Sequence, residues 1–147
     1  MPILDVPGVF AMLVPEGWDA SVEGRTYQLT RLGADGAVDI SAYERARSAL
    51  RDDEAAGLVA GFMSAAHAPS QGEFRVFKES RRQHRAVARF RTPGEHGEVE
   101  WLVLVVLWRT AFVACSCTAR PGSPLLDEAH TMFATIYPPR RGLFRRW

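Results

Sequence analysis

A chain of 147 residues has the length of about one domain and buries roughly two thirds of its unfolded surface on folding. With 47% hydrophobic and 24% charged residues, the composition is that of a globular protein and excludes an unstructured chain. Net charge is +1, but Arg140, Arg141, Arg145 and Arg146 cluster at one end, and residues 1–139 alone hold 14 Lys and Arg against 17 Asp and Glu. That net −3 excludes the basic excess of a nucleic-acid-binding surface.

The opening segment MPILDVPGVFAMLVPEGW carries Asp5 and three prolines and lacks a basic start, so it does not read as a secretory signal. Phe10 to Val14 is a short apolar stretch ended by the turn signal Pro15-Glu16-Gly17. Residues 26–32 and 37–43 alternate apolar with polar, Tyr27 and Leu29 in the first, Val38, Ile40 and Ala42 in the second. Two strands follow from that period, joined by Gly33-Ala34-Asp35-Gly36. The period then lengthens. Ala55, Leu58, Val59, Phe62, Met63 and Ala66 follow helical spacing behind Asp52-Asp53-Glu54, whose charges suit a helix start. A helix over 52–66 is predicted.

Residues 74–79 and 85–92 read as strands, and Pro93-Gly94-Glu95-His96-Gly97 as a turn. It leads into VEWLVLVVLW at 99–108, nine apolar residues in ten. The uninterrupted run Trp101–Trp108 is far short of the ~20 residues that span a bilayer as a helix, so no stable membrane insertion is expected and the location expected is cytoplasmic. Arg109-Thr110 makes a tight turn into a further strand, AFVACSCTA. Ser123-Pro124 then caps a helix over 124–136, with Leu125, Leu126, Ala129, Met132, Phe133 and Ile136 as its apolar stripe and Pro138-Pro139 as its stop. The order predicts one α+β domain over 1–139, a twisted, mostly antiparallel sheet of about six or seven strands with two main helices, followed by a basic tail at 140–147.

Candidate chemistry is sparse. Cys115 and Cys117 share a strand face, but a soft-metal site takes three or four ligands and the chain has no other cysteine, so they read as small packed residues. Glu95, His96, Glu98 and Glu100 offer a carboxylate–imidazole group for a divalent ion, weighed against a solvated hairpin end. His67, His84 and His130 lack an i, i+4 histidine partner and read as surface or helix-end residues. No nucleophile elbow, phosphate loop or HExxH occurs, so no catalytic residue, metal or cofactor is expected. Arg85, Arg89 and Arg91 alternate along one strand face, with Arg75 joining from the neighbour; such a row receives carboxylates or phosphates, or merely pairs with nearby acids. In the tail, arginines mixed with Leu143, Phe144 and Trp147 suit weak contact with an anionic membrane surface or an unstructured end.

The succession FAMLVPEGW, YQLTRL, VDISAYE, a helix, two strands, WLVLVVLW, FVACSCTA and a closing helix ending FATIYP resembles the PsbP-like fold, and within it the DcrB-like family that includes Eag-type chaperones of type VI secretion effectors. The resemblance covers about residues 8–138, with Pro15, Trp18, Tyr27 and Phe133 as landmarks. It implies a non-catalytic, dimeric cytoplasmic chaperone or adaptor that lays an apolar sheet face on a hydrophobic segment of a client protein. An independent reading of the strand at 99–108 agrees. If both helices share one sheet face, its second apolar row stays bare and marks a partner site. Trp101, Val103, Val105 and Leu107 would then contact the client, rimmed by Arg85, Arg89 and Arg91. One helix on each face would instead close the sandwich. A small-ligand or lipid carrier and a metal-dependent enzyme using Glu95, His96 or Cys115 are the competing readings.

Overall fold

Among the residues the computed structural model describes (3–6, 9–66, 73–80 and 82–138, the segment 73–80 as backbone apart from Arg75), nine strands and two helices follow one another. They are β1 (Ile3–Val6), β2 (Phe10–Leu13), β3 (Trp18–Glu23), β4 (Thr26–Arg31), β5 (Ala37–Glu44), α1 (Glu54–Ala65), β6 (Glu73–Ser80), β7 (Gln83–Gly94), β8 (Gly97–Leu107), β9 (Ala111–Ala119) and α2 (Leu125–Phe133). Strands β3 to β9 form a seven-stranded sheet in the order β3-β4-β5-β9-β8-β7-β6, every neighbouring pair antiparallel. Strands β1 and β2 form a separate antiparallel pair. The predicted α+β class, antiparallel main sheet and pair of helices are those observed, whereas β1 and β3 are strands not expected and β1–β2 stand apart from the main sheet.

Each helix takes one face of the sheet. On the first face, Leu102, Leu104 and Val106 of β8 join Val113, Cys115 and Cys117 of β9, Val38 and Ile40 of β5, and the buried stripe of α2 in one core. Phe10 and Met12 of β2 lie in the same core, so the β1–β2 pair shares that face with α2. On the second face, Val103, Val105 and Leu107 meet Ala86, Ala88 and Phe90 of β7 and Ala114 of β9 beneath Ala55 and Val59 of α1. Small residues on β7 and β9 let α1 sit close to the sheet. This answers the double apolar row of β8: period two places four residues on each side, and each side has its own cover.

Boundaries deviate where local chemistry competes with the pattern. Helix α2 ends at Phe133 rather than 136, because Thr135 turns aside: its Oγ1 donates to the Met132 carbonyl and accepts from the Leu13 amide. Tyr137 then pairs with Ala11 in an antiparallel bridge, fastening the chain after α2 to β2. Ser123 Oγ accepts from the Leu125 amide, the capping bond expected of it, although Pro124 occupies the N-cap position itself. Strand β3, which shows no alternation, is formed by pairing alone: Trp18 is buried and the five residues after it are exposed on the sheet edge. Gly36 lies so close to β9 that a β-carbon there would meet the Thr118 carbonyl at 1.8 Å.

Candidate binding surfaces

The bare apolar row expected at Trp101, Val103, Val105 and Leu107 is not bare. Val103, Val105 and Leu107 are 3%, 0% and 1% exposed beneath α1, because the helices divide between the faces instead of sharing one. Trp101 alone is half-buried, stacked on Phe90 at 5.7 Å with its indole Nε1–H donating to Thr92 Oγ1. Nor do the arginines rim that row. The register of β7 turns Arg85, Arg89 and Arg91 to the first face, opposite Trp101 and its companions.

Each arginine of the row does structural work. Arg85 is buried, and its guanidinium donates to the carbonyls of Phe133 at 3.1 Å and Ile136 at 2.6 Å, closing the C-terminal end of α2. A cation at that end also meets the negative pole of the helix dipole. Arg89 pairs with Asp127 of α2 at 3.0 Å and with Glu100 at 3.6 Å. Arg91 pairs with Glu98 at 3.4 Å and reaches Glu100 at 4.0 Å. Arg75, exposed, shares the face through its register with Val87. Arg85 by hydrogen bonds to carbonyls, and Arg89 and Arg91 by ion pairs, thus tie β7 to β8 and α2.

The EHGEVE candidates separate in the same way. Glu98 and Glu100 serve the arginines, while Glu95 and His96 form the exposed turn between β7 and β8. Among the described residues, no group of three or more His, Cys, Asp or Glu side chains comes together as a metal site. Cys115 and Cys117 lie in the first-face core, and burial pushes their thiols up, Cys117 to about 12 with the charges of Asp35 and Asp39 adding to it, Cys115 further. Both stay thiols at neutral pH, the form that neither attacks nor ligates. His84, expected at the surface, is 5% exposed on the second face of β7. His130 is exposed in the last turn of α2; His67 and the tail 140–147 lie outside the described residues.

A different surface emerges on α1. After Glu54 the helix carries no charge through Ala65, and its outward positions Gly57, Ala60, Gly61, Ser64 and Ala65 are all exposed. Beside them Leu58, Phe62 and Met63 are only half-buried. The outer side of α2, by contrast, shows Asp127, His130 and Thr131 to water. Gly57 and Gly61 have helical backbone and open space where a β-carbon would stand. Neither is needed for the fold, since glycine inside a helix costs about 0.5–1 kcal/mol against alanine. The start of α1 is held firmly: Glu54 bonds Arg45 at 2.8 Å and accepts from the Arg51 amide at 3.0 Å, while Arg45 also donates to the Trp108 carbonyl. The chargeless outer side is written in the sequence as DEAAGLVAGFMSAAH, where the helical spacing of the apolar stripe is the stronger signal.

No family model matches the chain, and no curated protein does. A crystal structure of a protein from Bacteroides thetaiotaomicron VPI-5482 has a similar fold, with a TM-score of 0.62 at 16% identity over 90% of this chain. This chain spans 46% of that one, so the likeness concerns the fold and less than half of the other molecule. Among the described residues, no helix is long and apolar enough to cross a membrane.

Proposed function

We propose that this protein is a non-catalytic binding module, a cytoplasmic chaperone or adaptor working as a homodimer, that takes an apolar segment of a client protein on the outer side of α1. The observation that carries the reading is the chargeless, small-residue outer face of α1, flanked by half-buried Leu58, Phe62 and Met63. A surface helix of a globular protein ordinarily turns charge to water, as α2 does. Small residues in its place let a second backbone approach closely, and the half-buried side chains supply apolar area for that partner. The resemblance to effector chaperones of type VI secretion supports the same role, with the contact moved from a bare sheet face to the helix that covers it.

Binding of a fluorescent, alanine- and leucine-rich helical peptide, followed by anisotropy, tests the reading. Wild type is expected to bind, and the double variant Ala60→Arg, Ser64→Arg to bind at least tenfold more weakly while melting at the same temperature; ~1.4 kcal/mol of lost contact suffices for that factor. Equal binding by both proteins, or by neither, removes α1 as the client surface. Sedimentation of the unbound protein checks the dimer.

A further inference from the structure

The chain after α2 is steered by one hydrogen-bonded pair. Ala11 and Tyr137 exchange both backbone bonds at 3.0 Å, and the pairing is antiparallel. The antiparallel sense of that pair directs the chain from Tyr137 through Pro138 along β2 toward Phe10 and Val9, at the turn between β1 and β2. Val9 is itself part of the wall of a groove of about 250 Å³, formed with Val6, Gly24, Tyr27, Ala42 and, at its charged rim, Arg25 and Glu44. Val6, Val9, Tyr27 and Ala42 are each only half-buried, so the groove leaves apolar surface in reach of water.

The segment that leaves at this point, PRRGLFRRW over 139–147, has the composition to fill it. At no more than ~3.4 Å per residue, the five steps from 139 to Phe144 span up to about 17 Å, so Leu143 and Phe144 fall within range of the groove. Glu44 stands exposed on the rim as a partner for the arginines, whereas Arg25 disfavours them on its own side. We infer that residues 139–147 dock in cis into this groove, with Leu143 and Phe144 against Val6, Val9 and Tyr27 and an arginine on Glu44. The inference is independent of the client surface on α1, which lies on the opposite face of the sheet.

A nitroxide on the full chain reads this docking. The native thiols are buried and stay protonated, so Trp147→Cys offers the one reactive site in the folded protein. Because the tail is tethered near the groove, the comparison is made between this protein and the same protein with Leu143→Ser and Phe144→Ser, with an unchanged amide spectrum of the sheet as the check that both are folded. The amide signals of Val6, Gly24, Arg25 and Ala42 are expected to lose most of their intensity in the first and recover in the second, with Gly57 and Gly61 unaffected in both. Equal broadening in both proteins overturns the inference. So does broadening of an isotope-labelled, nitroxide-free copy mixed with an unlabelled nitroxide copy, since that places the tail of a second molecule in the groove.

Discussion

At the scale of single residues, position on the ladder decides what a side chain is worth. Arg85 and Arg89 stand four residues apart on one strand face, yet one is buried against carbonyls and the other is partly exposed between carboxylates. Arg85→Met orphans two carbonyls at the end of α2, and hydrogen bonds to a charged group are worth about 1.5–3 kcal/mol each before the gain from removing a buried charge. A loss of about 2–3 kcal/mol is expected in urea unfolding, against less than ~1 kcal/mol for Arg89→Met, whose pairs are screened by solvent. Similar losses for the two would show that Arg85 does not close the helix.

Asp35 shows how a single acid links two turns. Its carboxylate accepts from Ser123 Oγ at 2.9 Å and from Arg120 at 3.2 Å, and Ser123 in turn caps α2. The Ser123 hydrogen bond, helped by Arg120, holds the carboxyl below its ordinary 3.8. A depressed acid favours the fold above that ordinary value and loses the contribution as pH falls through its own lowered one. The melting temperature of Asp35→Asn should therefore lie below wild type near neutrality and converge with it in acid; parallel curves would dissociate Asp35 from the acid limb.

At the scale of elements, legibility followed burial on one side or two. Strand β5 was plain because Val38 and Ile40 alternate with half-exposed polar residues, and α2 because its stripe is fully buried. Strand β3 was illegible because an edge strand with one buried residue in six carries no period. The double apolar row of β8 left open whether both helices share one face or take one each, since helix placement depends on side-chain sizes across β7 and β9: Ala86, Ala88 and Ala114 make the room for α1. The expected bare row with an arginine rim does not form, for the same reason. A strand's alternation tells which residues share a face, and Arg85, Arg89 and Arg91 do share one, but the relation between faces of neighbouring strands depends on register.

Helix α1 makes its own prediction at this scale. Gly57 and Gly61 have no neighbour within 4 Å of a built β-carbon, so Gly57→Ala and Gly61→Ala should each stabilise the protein by about 0.4–1 kcal/mol. If the bare backbone there is kept for a partner, the same changes weaken peptide binding while raising the melting temperature. Opposite signs for stability and binding separate this from a helix that merely tolerates glycine.

At the scale of the whole molecule, the two cores described lie on opposite faces of the sheet, and β7, β8 and β9 contribute to both. The two tryptophans of β8 and its turn report them separately: Trp108 lies in the first-face core with its Nε1–H donating to Gln83 at 2.9 Å, and Trp101 edges the second-face core beside α1. The anchors of α1 are few but well seated, with Glu54 and Arg45 binding its start to the β8–β9 turn. The first face is heavier, carrying α2 and the β1–β2 pair. Single-tryptophan proteins, keeping either Trp101 or Trp108 with the others changed to Phe, should unfold at one urea concentration and with the far-ultraviolet dichroism. Coincident curves are the mark of a single cooperative unit. They would also fix how a client is met, for a sheet row that opens only with global unfolding is not a working surface, and binding must then happen on the outside of α1. An earlier transition at Trp101 alone would reverse that conclusion: α1 would be a cover that lifts, and Val103, Val105 and Leu107 beneath it would regain their place as the surface a client reaches.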